Sequence, residues 1–267
     1  MPDIEWIFAF LLLGGVVGFV AGLLGIGGGG IMVPVLTSIF LLQDVPVENA
    51  VHLALGTSMA SIVMTSLSSL RTHNSHHGVL WHIVGRMAPG IMIGAFCGTL
   101  LVPYLSAIDL AIFFTLFMAY VAFQMFFDKK PNPTRQLTAN SNLLLAGGGI
   151  GCISALVSLG GGSLTVPYLI WHNIEVKRAI GTSAAIGFPL SITGSIGYLV
   201  NGWGKAIPQE YTLGYIYLPA VLFISVASYY SARYGAKLVH KLPVKALKKA
   251  FSVLLMLLSI QMLISII

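Results

Sequence analysis

Two glycine-rich hinges constrain this chain more than any other feature. GLLGIGGGGIMVPVL at Gly22 to Leu36 and ALVSLGGGSLTVPYL at Ala155 to Leu169 align at an offset of 133 residues. Identities fall at Gly18/Gly151, Leu23/Leu156, Gly27/Gly160, Gly28/Gly161, Gly29/Gly162, Val33/Val166, Pro34/Pro167 and Leu36/Leu169. A second echo, A-[LI]-G-T-S-x-A, follows each hinge at Ala54 to Ala60 and at Ala179 to Ala185. The chain is a duplication, and each copy interrupts an apolar run at glycine and then presents hydroxyls. Folds that carry solutes expose backbone groups within a bilayer in this way.

The rest of the chain fits a lipid solvent. Hydrophobic residues make up 57% and charged residues 8% of the sequence, with a mean hydropathy of +0.90, which leaves too little charge to cover a water-soluble surface. The formal charge of +6 does not point to nucleic acid, because the basic residues form no aromatic-interleaved stripe and sit between apolar segments.

Ten apolar segments can be drawn, at roughly 5–24, 30–42, 47–70, 79–103, 108–127, 141–158, 163–172, 177–200, 211–235 and 245–267. Most have the roughly 20 residues that a hydrocarbon core requires. Segments two and seven are short, so the hinges before them should lie inside the membrane, whether each hairpin crosses or re-enters. The expected fold class is an all-α integral membrane protein of two inverted five-segment repeats, about ten helices in one membrane domain. Residues 1–127 form the first repeat, 128–140 a proline-containing cytoplasmic linker, and 141–267 the second repeat.

Five crossings per half invert the second half, and the charges agree. With the N-terminus outside, thirteen of the fourteen Lys and Arg residues fall on the inner side and only Lys205 falls outside, with Asp3, Glu5, Asp44, Glu48, Asp109 and Glu210. The first apolar run has no preceding basic residues and no small-residue cleavage site after it, so it reads as a retained helix.

A sharp turn of small residues leaves the first N–H groups of the following helix unpaired and aims them, with the positive end of the helix dipole, at an anion. Gly27, Gly28, Gly29 and Gly30 in one copy and Gly160, Gly161, Gly162 and Ser163 in the other are expected to face each other across a substrate site without any charged side chain. Glycine serving helix packing alone is the competing reading. Valine at Gly28 or Gly161 is expected to abolish activity, and valine at Gly14 or Gly94 to do less. The G-T-S motifs fall near mid-depth of segments three and eight, so Thr57, Ser58, Thr182 and Ser183 are expected to line the same path. The alternative is that they bond back to their own helices.

Other polar residues are less informative. Gln124 and Gln261 read as interface hydrogen bonders, His52 as a proton carrier or a satisfied structural imidazole, and Arg71 with His73, His76, His77 and His82 as interfacial polarity. Cys97 and Cys152 read as buried structural thiols. No P-loop, no H-E-x-x-H and no intramembrane carboxylate occurs, so no catalytic residue, metal or cofactor is expected and the chain is not read as an enzyme.

The hinge blocks ending G-G-G-x-x-x-V-P-x-L, the A-x-G-T-S blocks, the Gly78-Val79-Leu80-Trp81 segment and the basic central linker together resemble the sulfite exporter TauE/SafE family of membrane permeases, over essentially the whole chain. The resemblance implies a secondary transporter or exporter of small sulfur-containing anions such as sulfite or organosulfonates, multi-pass in the cytoplasmic (inner) membrane of the cell. Leu80 stands where many relatives carry an acidic residue, and the second copy reads Gly202-Trp203-Gly204-Lys205, so the implication reaches a substrate class and not one substrate. The implied partners are a small anion and the lipid bilayer. A homo-oligomer is compatible with the pattern, nucleic acid is not, and the coupling ion is unspecified. Two alternatives come from other classes: a membrane assembly or scaffold protein that does not transport, and an anion channel.

Overall fold

The computed structural model describes residues 3–24, 28–127, 140–205, 209–238 and 244–266. Among them lie ten helices: α1 Ile4–Leu24, α2 Gly29–Leu42, α3 Val47–Ser75, α4 Trp81–Leu101, α5 Ala107–Phe126, α6 Asn140–Leu156, α7 Gly162–Trp171, α8 Val176–Asn201, α9 Leu218–Leu238 and α10 Val244–Ile264. A short 3-10 turn, Val102–Tyr104, caps α4. The protein is an all-α membrane protein. Five spans, Ile4–Leu23, Val47–Ser75, Trp81–Tyr104, Ala107–Phe126 and Val176–Asn201, are long and apolar enough to cross a bilayer by length and composition. The helices after the hinges are short as expected, 14 residues for α2 and 10 for α7. The linker expected at 128–140 lies almost wholly outside the described residues.

The segment expected as one apolar run over 211–235 is divided. A two-stranded antiparallel hairpin comes first, β1 Thr212–Leu213 with β2 Ile216–Tyr217, Thr212 opposite Tyr217 and Leu213 opposite Ile216. Gly214 turns it at a φ of 57°, and α9 starts only at Leu218. Threonine, isoleucine and two tyrosines around a glycine favour a hairpin over a helix start.

Two helix pairs are held by glycine, each joining one half of the chain to the other. On α1, Gly14, Gly18 and Gly22 meet the backbone of Ile224, Ser228 and Ala232 on α9; on α4, Gly90, Gly94 and Gly98 meet that of Leu144, Gly148 and Cys152 on α6. The residue numbers rise together in both pairs, so α1 runs parallel to α9 and α4 to α6. Where the glycine side chain is missing, the partner backbone sits, as in close-packed membrane helices. Gly14 and Gly94 are thus wrong choices as tolerant positions: a Cβ at Gly14 would lie 2.6 Å from the Ile224 carbonyl oxygen, and one at Gly94 nearer still to that of Gly148. Among the described glycines, Gly15, Gly85, Gly149 and Gly204 have open space at that position, and of these only Gly204 has a positive φ.

Helices α3 and α8 cross at the centre. Met59 packs on Gly194, while Ser66 meets Ser191 and Gly187, so here the numbers run oppositely and the helices are antiparallel. Helix α3 also runs alongside α9, through Thr65 with Ser228 and Ser68 with Tyr229, and α8 alongside α4, through Gly197 with Thr99. Helices α1, α3 and α9 therefore point one way and α4, α6 and α8 the other. Helices that correspond by sequence, α1/α6, α3/α8 and α4/α9, run in opposite senses. The outside of this bundle is apolar, with Leu12, Leu116, Leu145 and Leu222 exposed, a surface that suits lipid and not water.

Candidate functional site

The hinges are the pivots of the arrangement. Gly28 and Gly161 precede α2 and α7 in the left-handed conformation, φ 78° and 77°, which L side chains rarely adopt. Around Gly161 the nearest atoms to an added Cβ lie 3.6 Å away, so there is room and the constraint is conformational. Gly161→Ala is therefore expected to cost about 1–2 kcal/mol through φ alone, measured as a lowered melting temperature in detergent; a melt unchanged from the parent would remove the constraint.

The two hinges touch. Gly29 lies directly against the carbonyl of Ser158, the Ser158 hydroxyl donates to the carbonyl oxygen of Leu55 on α3 at 2.6 Å, and the Gly160 carbonyl packs on Gly187 of α8. Gly29 and Gly160 thus belong to one central junction; Gly161, Gly162 and Ser163 continue the chain from it into α7, while Gly28 packs on Val17 and Ala21 of α1. Gly30 points into apolar packing with Met118, Leu159 and Leu255, and Gly27 lies outside the described residues.

The G-T-S motifs take a role that sequence spacing does not reveal. Gly56 lies against the carbonyl of Tyr215, and the Thr57 hydroxyl accepts the N–H of Tyr217 at 3.0 Å. In the other repeat Gly181 lies against the carbonyl of Gly78, and the Thr182 hydroxyl accepts the N–H of Leu80 at 3.0 Å. Each glycine admits the strand-like entry to the opposite repeat's fourth helix, and each threonine captures its backbone. We call these contacts the two locks. Thr57→Val leaves the buried N–H of Tyr217 unpaired and Thr182→Val the part-buried one of Leu80, which is expected to destabilise the protein by about 1–3 kcal/mol, less for the second. Thermal unfolding in detergent measures it, and variants that melt like the parent would show that the locks contribute nothing.

The crossing of α3 and α8 also separates the motifs. From the contact of Ser66 with Ser191, Ser58 and Ser183 each lie eight residues back along antiparallel helices. At about 1.5 Å per residue that puts them on the order of 24 Å apart. The four hydroxyls of Thr57, Ser58, Thr182 and Ser183 do not converge on one site. They form two stations, one at each end of the crossing.

Within these stations the serines differ from the threonines. Ser58 and Ser183 are fully buried and their hydroxyls have no hydrogen-bond partner among the described residues; the same holds for Ser154, Ser69, Ser163 and Thr165, each less than a tenth exposed. Such orphans are uncommon and point to an absent partner. Three stand around the second hinge: Ser163 and Thr165 in the first turn of α7, and Ser69, which with Ala21, Thr65, Ser66, Gly160, Ala184 and Gly187 lines a narrow cleft with room for about one water molecule. Ser183 is the immediate neighbour of Ala184. By the G-T-S offset the counterparts of Ala184 and Gly187 are Met59 and Ile62, and Met59 fills the space above Gly194.

Sequence reasoning missed the hydroxyl ladder on α3. Ser58, Ser61, Thr65, Ser69 and Thr72 recur every three or four residues and are all buried, so the signal was present as helical periodicity of polar residues. Ser61, Thr65 and Thr72 bond back one turn, at 2.9, 3.3 and 3.0 Å. The cysteines correct an expectation: Cys97 is exposed on the apolar surface of α4, and Cys152 is half-buried. Arg71 donates to the hydroxyl of Tyr229 at 2.9 Å, and Trp81 to Asn74 at 2.9 Å.

Comparison with known proteins adds to this geometry. The family model described as sulfite exporter TauE/SafE matches residues 10–262. A probable membrane transporter protein of Haemophilus influenzae is 40% identical over 261 residues, covering 96% of this chain and 98% of that protein. One of Methanocaldococcus jannaschii is 30% identical over 262 residues, covering 93% and 94%, and YdhB of Bacillus subtilis, with the same description, is 28% identical over 87% and 90%. No solved structure matches.

Proposed function

From the premise that the chain belongs to the sulfite exporter TauE/SafE family of membrane proteins, we propose that it is a secondary transporter of small sulfur-containing anions, sulfite and organosulfonates. What supports the reading is the group of buried hydroxyls without a partner among the described residues: Ser69, Ser163 and Thr165 around the second hinge, and Ser183 one helical turn along α8 from Gly187, on which the hinge packs. An oxyanion would accept from these hydroxyls and from the first-turn N–H groups at Gly161, Gly162 and Ser163, at the positive end of α7. In the first repeat Gly29 packs on the Ser158 carbonyl of the second hinge, Gly28 packs on Val17 of α1, and Ser58 stands at the other station.

Transport proceeds by alternating access, the site opening to one face and then to the other, and the locks supply the two gates. Breaking the Thr57–Tyr217 contact opens the end of α3 that carries Glu48; breaking the Thr182–Leu80 contact opens the end that carries Arg71. With both formed, the site is shut on both sides. Glu48 faces outward and Arg71 inward if the basic residues mark the cytoplasmic side of the cell membrane. A monoanion leaving an inside-negative cell then gains about 2.3 kcal/mol per 100 mV, so export requires no nucleotide.

Flux into sealed proteoliposomes is the test. Saturable uptake and counter-exchange of sulfite or methanesulfonate support the transporter, unsaturable flux without counter-exchange would mean a channel, and no flux of any anion would leave a scaffold. Topology is tested separately: Lys130→Cys in whole cells should resist a membrane-impermeant maleimide, and ready labelling from outside would reverse the assignment.

A further inference from the structure

We propose that His52 is a proton-binding site that latches the outer lock, so that anion transport, on the reading above, is linked to a proton. The imidazole is buried on α3, one turn before Gly56 and Thr57. Both ring nitrogens face carbonyl oxygens: Nδ1 lies 2.9 Å from that of Glu48, and Nε2 lies 3.3 and 3.2 Å from those of Val102 and Leu105. A neutral imidazole has one N–H and one lone pair. Whichever tautomer forms, one nitrogen turns a lone pair towards a carbonyl oxygen, and only the imidazolium donates on both sides.

His172 serves as an internal comparison. Its Nδ1 makes the same one-turn contact, 2.8 Å to the Tyr168 carbonyl oxygen, but among the described residues no carbonyl faces its Nε2, so a neutral tautomer satisfies it. Around His52 other groups also favour a cation. The Tyr215 ring lies over the imidazole at 5.2 Å between centroids, and the Val102 and Leu105 carbonyls stand where α4 and its 3-10 turn end, the negative end of a helix dipole. The charged groups near it are Glu48, one turn back on α3, and Lys205, on the turn that follows α8. Each N–H of the imidazolium needs an acceptor in this dry setting, so the proton is held only while the carbonyls are in place.

That dependence couples the proton to the lock. Tyr215 covers His52 with its ring and meets Gly56 with its carbonyl, beside the Thr57–Tyr217 contact. Withdrawal of the hairpin removes the ring, and movement of the α4 end removes two acceptors. The imidazolium then gives its proton to water on the outer side and becomes neutral, with no other bond changed.

The experiment uses the full chain with nitrogen-15 histidine in nanodiscs. The His52 signal is identified among the seven histidines by its loss in His52→Gln, or in His52→Asn if the first variant does not insert. The expected result is a titration between about pH 5 and 8 into an imidazolium with two hydrogen-bonded N–H groups. A ring that stays neutral over that range, or charged throughout it, overturns the proposal. In proteoliposomes, counterflow of methanesulfonate, whose own charge does not change, should slow about 5-fold or more on outer acidification in the parent. His52→Gln should slow by less than about 2-fold, and equal pH dependence in the two proteins overturns the proposal. A parent without flux at any pH would sink the transport reading, while the histidine titration would still decide on the proton site.

Discussion

Gly94→Val is expected to prevent stable assembly of the protein, with a cost of about 3 kcal/mol or more, and Gly18→Val to come close to it. The cause is backbone and not conformation, because neither glycine has a positive φ. A Cβ at Gly94 would enter the peptide of Gly148, and one at Gly18 would lie 2.5 Å from the Ser228 Cα and 2.6 Å from its carbonyl oxygen. Side chains could rotate away from such a clash; a helix backbone must move whole, and the neighbouring glycines of the pair would lose contact with it. Gly15 and Gly149, on α1 and α6, have nothing within 4 Å of the same position, so valine there costs only helix propensity and a little lipid contact. Yield and thermal unfolding in detergent compare the four variants. If Gly94→Val melted with Gly149→Val, the tight packing of α4 on α6 would not contribute to stability.

Ser183→Ala and Ser163→Ala should do the reverse: weaken anion binding about 10- to 100-fold each and leave the unliganded protein as stable as the parent. Hydroxyls without partners contribute nothing to the folded state that methyl groups would not, and removing a buried orphan is neutral to stabilising. A hydroxyl that donates to an oxyanion, in contrast, is lost at the full value of a charged hydrogen bond. Ser58→Ala provides the contrast across the repeats. Ser58 is equally buried and also has no hydrogen-bond partner among the described residues, but it stands at the opposite end of the α3–α8 crossing from Ser183, so its removal should alter binding less than 3-fold or so. Calorimetry with sulfite, sulfate and methanesulfonate, alongside melts without ligand, separates the cases. A Ser183→Ala protein that bound all three like the parent would move the site elsewhere, and equal losses at Ser58 and Ser183 would mean two sites in place of one.

Much of the fold is legible from the sequence because membrane helices are written in runs of apolar residues. The hinge helices begin within a residue of the expected 30–42 and 163–172, and α3 and α8 begin within one residue of theirs. What the runs do not record is relative position. Nothing local to Thr57 or Thr182 says that its hydroxyl meets a backbone N–H some 100 or more residues away, and the inversion that the charges do record leaves open where along α3 and α8 the crossing falls. The hairpin at 212–217 was hidden by its own hydropathy, since Tyr215, Ile216 and Tyr217 read as the start of a membrane segment. The glycines of α1 and α4 misled for a related reason: a glycine that admits a backbone and one that faces lipid share every sequence property except the i, i+4 recurrence of Gly14, Gly18 and Gly22 and of Gly90, Gly94 and Gly98.

The exchange of partners between the halves, α1 on α9 and α4 on α6, also sets a timetable for biogenesis. Helix α1 leaves the ribosome 214 residues before α9, counted from Ile4 to Leu218. At about 5–20 residues per second its glycine face waits on the order of 10–40 s for its partner, while α4 waits for α6 across a much shorter stretch. During that interval the insertion machinery or lipid must cover α1, and the first half cannot close on itself. The duplicated chain therefore assembles as one cooperative unit only once α9 has entered the bilayer. A nascent chain stalled in the central linker has every helix of its first repeat and none of that repeat's inter-repeat packing.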